Sequence, residues 1–190
     1  MTFRHRIAGL DLSLTGTGIA LYDPDAIRPS PVATKTVSTA RLTGHPRLAE
    51  ILLAIADLRT CELVVIEDVW LGLKGDTALR LAELHGLVKH WLWLRCIPYV
   101  LVQPAQLKLY AVGKGGGKDA GKDQVLLAVE RRYGGLATVT DNNQTDALVL
   151  LAMALEYYGS PLAPVPAVHR AALAKVDGWP VLEHREVVRG

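Results

Sequence analysis

Leu63-Val64-Val65-Ile66 is an unbroken apolar run rich in β-branched side chains, and the two residues that follow it are acids, Glu67 and Asp68. Such a run reads as a strand buried on both faces, and so as a central strand of a sheet. A strand buried on both sides requires covering layers on both sides, which points to an α/β architecture.

The remaining pattern fills in that architecture. Ile7 to Leu12 and Gly16 to Tyr22 read as strands, with a Gly-Thr-Gly turn signal between them. Pro29 to Ser38 holds a weaker strand that begins after Pro29 and Pro31, and Tyr99 to Val102 a short one. Pro46 to Leu58 carries Leu48, Ile51, Leu52, Ile55 and Leu58 at helical spacing. Asp76 to Leu94 is a long helix with Asp76 at its N-cap, and Pro104 to Tyr110 is a helical turn or two. Gly113 to Gly117 is a Gly-rich basic loop; Lys118 to Tyr133 and Asn143 to Tyr158 are helices. Three initial strands form a meander, and later strands alternating with helices add in parallel. The expected fold is a mixed five-stranded sheet flanked by helices on both faces. Pro161, Pro164 and Pro166 prevent a continuous helix. Residues 161–190 therefore read as a Pro-containing tail, with a short helix near His169 to Lys175, after a domain spanning 1–160.

At 190 residues and 50% hydrophobic, the chain suits one domain with a sizeable core. A net charge of +2 excludes a generic polycation, so any nucleic-acid site must come from local clustering of Lys and Arg. Cys61 and Cys96 have no zinc-ligand spacing and sit in apolar stretches, where buried reduced thiols are common. A cytoplasmic protein without a signal peptide is the expectation. The longest apolar run, Ala147 to Leu155, is too short to span a bilayer.

Three acids stand at the edges of apolar elements: Asp11 after Ile7-Ala8-Gly9-Leu10, Glu67 after Leu63 to Ile66, and Asp146 before Ala147 to Ala152. Burying a carboxylate there is unfavourable unless it is paired or binds a cation. Singly, each has an ordinary reading: a turn residue, a solvated strand end, or an acid favoured at a helix N-terminus. Together they suit hard divalent cations such as Mg²⁺ and the hydrolysis of a phosphodiester by two such ions. His85 and His90, five apart on one helix, read as packing or surface residues rather than ligands.

The segments Ile7-Ala-Gly-Leu-Asp-Leu-Ser-Leu-Thr-Gly-Thr-Gly-Ile-Ala, Val65-Ile-Glu-Asp-Val-Trp70, Asp76-Thr-Ala-Leu-Arg-Leu-Ala-Glu-Leu-His-Gly86, Pro104-Ala-Gln-Leu-Lys108, Gly121-Lys-Asp-Gln-Val125 and Asn143-Gln-Thr-Asp-Ala-Leu148 resemble, in order and spacing, the motifs of RuvC-like Holliday junction resolvases. The likeness runs from about residue 6 to 157, and the short first motif looks most like phage-encoded members. It implies a ribonuclease H-like fold. It also implies a homodimer that acts on branched DNA, in the cytoplasm of a bacterial or phage-infected cell. Carried over by position, Asp11, Glu67 and Asp146 hold two Mg²⁺ ions, with Mn²⁺ able to substitute. Lys122 and Lys108 match basic residues beside the active site, and Trp70 matches an aromatic that stacks on an unpaired base. Lys114 and Lys118 add a basic loop for backbone phosphate. A plain surface loop and core packing are the ordinary readings of that loop and of Trp70. The family often has a further acid, sometimes a His, three residues before the last Asp; here Asn143 stands there. Asp141 either compensates from the loop or caps the helix with Gln144 in the reciprocal position.

Other readings stay open. A ribonuclease H-type hydrolase of RNA–DNA hybrids would recruit Glu50 beside Asp11, Asp68 and Asp146. Asp11 to Gly18 also resembles a phosphate loop of actin-like ATPases and sugar kinases, but 190 residues leave no room for their second domain. A module that binds junctions without cutting them would fit the missing charge at Asn143. The long helix, with Leu84, Leu87, Val88, Trp91 and Leu92, carries more apolar area than one face needs and is the expected dimer surface, although some of it must pack on the sheet.

Overall fold

A computed structural model describes residues 4–27, 30–69, 75–117 and 120–182. Five strands form one sheet: β1 (Ile7–Asp11), β2 (Gly16–Tyr22), β3 (Val32–Ser38), β4 (Leu63–Glu67) and β5 (Tyr99–Val102). Their order is β3-β2-β1-β4-β5. β1, β2 and β3 pair antiparallel, and β4 and β5 add parallel to β1, so the sheet is mixed as expected. The helices are α1 (Gly44–Ala54), α2 (Asp76–Trp93), α3 (Pro104–Val112), α4 (Lys122–Tyr133), α5 (Asn142–Tyr157) and α6 (Ala167–Arg170).

The alternation of side chains along the central strands sorts them into two cores. Ile7, Leu63 and Val65 face the layer of α3, α4 and α5. Ala8, Leu10, Val64 and Ile66 face α1 and α2. α5 is apolar all round and buried without a break from Ala147 to Leu155, as a helix enclosed on every side must be. It packs so closely on the sheet that a Cβ on Gly9 would stand 2.1 Å from the Ala147 carbonyl oxygen. A Cβ on Gly18 would stand 2.0 Å from that of Asn143. Glycine inside a strand is what permits another backbone to come so near.

Several boundaries differ from the sequence expectation. Gly75, at φ +75°, is the N-cap of α2, and Asp76 occupies the first helical position, where its charge still suits the dipole. α1 stops at Ala54 and the apolar pattern continues through a 3₁₀ turn, Ala56–Thr60. α3 runs on to Val112, and α4 begins at Lys122, after its N-cap Gly121. Cys61 is buried but Cys96 is exposed, because the chain turns at φ +53° there after α2. Of the apolar residues assigned to a dimer surface, Leu84, Val88 and Leu92 are fully buried against the sheet. The exposed apolar side chains of this helix and its C-cap are Leu79, Trp93 and Leu94.

The segment after Tyr158 does not hang free among the described residues. Val165, Ala172 and Val176 join the α3–α5 core, His169 Nδ1 bonds the Tyr110 carbonyl at 2.9 Å, and the Gln106 amide donates to the Lys175 carbonyl.

Candidate active site

The register of the sheet brings two acids side by side. Leu10 pairs with Ile66 across the parallel β1–β4 ladder, so Asp11 and Glu67 follow on adjacent strands. Two-residue alternation points both toward α5, in line with Ile7, Gly9, Leu63 and Val65. α5, seated on Gly9 and Gly18, carries Asp146 onto them. Carboxylate oxygens of Asp11, Glu67 and Asp146 lie within 4.8 Å of one another.

Burial is the main reason these groups resist ionisation. It raises Asp11 to about 6, with the Asp141 charge adding to it while a hydrogen bond from Glu67 and the Lys122 charge oppose it. Burial first, then the charges of Asp11 and Asp146, raise Glu67 to about 9. Burial and Asp11 raise Asp146 to about 7, against the pull of Lys122 and Lys108. Of the three, Glu67 is pushed furthest toward its neutral form. Three oxygen donors crowded in one half-buried pocket suit a hard dication, whose charge would replace the proton.

Lys108, half-buried on α3, and Lys122, exposed at the start of α4, both act electrostatically on this cluster. Lys114 lines a groove with Arg131 and Arg132 between α3 and α4. Trp70 and Lys118 lie outside the described residues.

Asp141 is the N-cap of α5. Its carboxylate accepts from the Gln144 N–H at 2.9 Å and from the Thr36 hydroxyl at 2.6 Å. The expected reciprocal bond is displaced by one residue, since Gln144 Oε1 accepts from the N–H of Thr140. Asn143 faces β2, with Nδ2 2.8 Å from the place of a Cβ on Gly16. Asp68 looks to the other face: it accepts from Gln103 Nε2 at 2.6 Å and from the Val69 N–H, and its charge reaches His85 on α2. Glu50 is exposed on α1, which packs on the face away from α5. Among the described residues, neither Asp68, Asp141 nor Glu50 belongs to the metal-compatible group.

Sequence reasoning passed over three contributors. Gly9 and Gly18 set the depth at which α5 sits, and their signal was glycine inside an otherwise apolar strand. Gln103 clamps the end of β4 to the start of α3, and nothing in its sequence neighbourhood marks it.

No protein-family model matches the sequence. It is 31% identical over 157 residues to the crossover junction endodeoxyribonuclease RuvC of Stenotrophomonas maltophilia, covering 80% of this chain and 87% of the relative. It is 29% identical over 153 residues to the RuvC of Hydrogenovibrio crunogenus, covering 79% and 85%. The fold is similar to that of T. thermophilus RuvC in complex with Holliday junction substrate, with a TM-score of 0.59 and 19% identity over 85% of this chain and 99% of the other. The fowlpox virus Holliday junction resolvase gives 0.52 and 12%, over 82% and 99%. The two structures speak for the ribonuclease H-like fold, and the bacterial sequence relatives settle the kinship: the chain belongs to the RuvC family of crossover junction endodeoxyribonucleases.

Proposed function

We propose that the protein is a Mg²⁺-dependent endonuclease that resolves four-way DNA junctions by paired nicks, one from each subunit of a homodimer. The observation that carries this reading is the approach of Asp11, Glu67 and Asp146 within 4.8 Å, beside two lysines. These three acids would hold the ions, with the Asn143 carbonyl oxygen as a neutral fourth donor and Asp141 adding charge from the helix cap. The bound ions would supply an activated water and a stabilised leaving oxygen; Mn²⁺ is the natural substitute.

The chain's own residues prepare the rest. α5 holds Asp146 over the strand ends, so the donors are positioned before metal arrives. Glu67 would offer its carboxylate to a bound cation, whose charge favours the ionised form. Lys122 places positive charge where the phosphate gains negative charge, and Lys108 anchors the same strand. Lys114 and Lys118 take backbone phosphate farther out, and Trp70 stacks on an unpaired base at the crossover. The nuclease unit is residues 1–160, with 161–190 as its C-terminal extension. Its setting is the cytoplasm of a bacterial or phage-infected cell; among the described residues no helix is long and apolar enough to cross a membrane.

The test is purified protein on a synthetic four-way junction, with and without Mg²⁺, mapping the cuts. Symmetric cuts near the crossover, absent with Asp11→Asn although the junction is still bound, are expected. Cleavage retained by Asp11→Asn, or cleavage confined to an RNA–DNA hybrid, overturns the reading.

A further inference from the structure

On the α1/α2 side of the same sheet end, an open cleft is lined by Leu12, Ser13, Leu14, Arg47, Thr77 and Arg80. It continues past Leu14, Arg47 and Arg80 to Thr43, His45 and Glu83. It is lined by the chain that follows Asp11, Leu12 to Thr15, at the same end of the sheet as the acidic cluster but on the opposite face.

Three features mark it as built for an anion. Neither Arg47 nor Arg80 forms an ion pair or hydrogen bond among the described residues, although Asp76 and Glu83 line the same cleft. Arg47 Nε is buried and has no hydrogen-bond partner. A donor withdrawn from water with nothing to bind is unfavourable until a ligand completes it. The N-terminus of α1 forms one wall: its cap, Thr43, makes no side-chain capping bond, and its first turn carries no acid. The amides of Gly44 and His45 are thus left without a side-chain cap at the positive end of the dipole.

We propose that this cleft holds the phosphodiester backbone of the strand being cut, at nucleotides flanking the scissile phosphate, with Arg47 and Arg80 each taking a phosphate. The inference rests on the nuclease reading, because it is the sheet end shared with Asp11 that selects a nucleic-acid backbone over other anions. A planar guanidinium fork matches two phosphate oxygens at once, and Arg47, braced by its half-buried position on α1, presents that fork with little freedom left to lose.

The experiment measures binding to the synthetic junction and to plain duplex without metal, across a series of salt concentrations. Arg47→Gln/Arg80→Gln is expected to bind more weakly, with the slope of log K against log salt shallower by about 2, roughly one per lost phosphate contact. Its Mn²⁺-induced rise in Tm should equal the parent's, which shows the acidic cluster intact. Arg59→Gln, in the groove at the far end of the sheet, should leave the slope unchanged. Arg47→Lys should keep the slope while weakening binding, since the charge stays and the fork goes. If Arg47→Gln does not fold, Arg80→Gln and Arg47→Lys decide the matter. An unchanged slope in a parent that cuts junctions removes the cleft and leaves the nuclease. A parent that binds DNA but never cuts removes the nuclease, while the slope still decides the cleft. A parent that binds no DNA removes both.

Discussion

The two faces of the sheet are covered by helices of opposite character. α5 is buried from Ala147 through Leu155 and rests on the backbone of β1 and β2. α2 is longer, yet it buries only Leu84, His85, Val88 and Leu92 and leaves Leu79 and Trp93 to solvent. The glycines tell the same story: Gly9 and Gly18 lie beneath α5 with no room for a methyl group, whereas Gly86 on α2 has nothing within 4 Å. The three mutually repelling acids are all on the tight face. A charged cluster is best held in one geometry where the backbone around it cannot relax, and α5 meets that condition on Gly9 and Gly18.

The sharpest way to break this comparison is to neutralise the tight face. Asp11→Asn, Glu67→Gln or Asp146→Asn is expected to lower Mg²⁺-dependent junction cleavage by about 10³-fold or more, on the scale of lost charge stabilisation at a transition state. Asp68→Asn, on the other face, should leave measurable activity. Equal losses at Asp68 and Glu67 would remove the distinction between the faces.

Next in size are the glycines. Gly9→Ala or Gly18→Ala must push α5 outward, and a loss of about 1–3 kcal/mol in stability is expected. The Mn²⁺-induced rise in Tm should shrink with it, because Asp146 moves with the helix. Gly86→Ala should instead raise stability by about 0.5–1 kcal/mol, as an exposed helical glycine loses a backbone-entropy handicap. Denaturant melts of the three variants check both signs.

The faces should also differ in pH response. In the metal-free protein, Asp11, Glu67 and Asp146 keep protons up to about 6, 9 and 7, while the unfolded chain releases them near the ordinary carboxylate values. The folded state then binds more protons, so its stability falls as pH rises from about 4 to about 9. Saturating Mg²⁺ or Mn²⁺ should abolish most of that fall, and the three neutral variants together should flatten it. A flat Tm across this range in the metal-free parent would contradict the crowding of the acids.

A contrast in sign belongs to His85. Burial, then the Lys89 charge, lowers it to about 4, so the folded protein holds it neutral while the unfolded chain protonates near 6.5. Stability is lost as pH falls between those values, the opposite sign to the acids. His85→Leu should reduce the loss on the acidic side; an unaltered acid limb would show that His85 is already charged in the fold.

Much of this was legible in advance because the signals were local. The Leu63–Ile66 run, the acids closing two strands and the apolar helix after Asp146 each need only a few neighbouring residues to be read. Cap residues and helix ends were misplaced by a few positions, since Gly75, Gly121 and the 3₁₀ turn after α1 act through backbone geometry that composition does not reveal. Helical periodicity shows that α2 has an apolar stripe, but not which layer covers it. The part of it that had to pack on the sheet is Leu84, Val88 and Leu92, which the pattern alone did not single out.

The sequence by itself determined the elements, the family and the identity of the three acids, because strand and helix periods and motif order are properties of the chain alone. The tertiary structure decided that those acids meet, that Asp68 and Glu50 turn elsewhere, and that Arg47 and Arg80 share a cleft on the other face of the same sheet end. Those outcomes depend on sheet register and on how closely one helix settles against two glycines, and both arise only when distant segments pack.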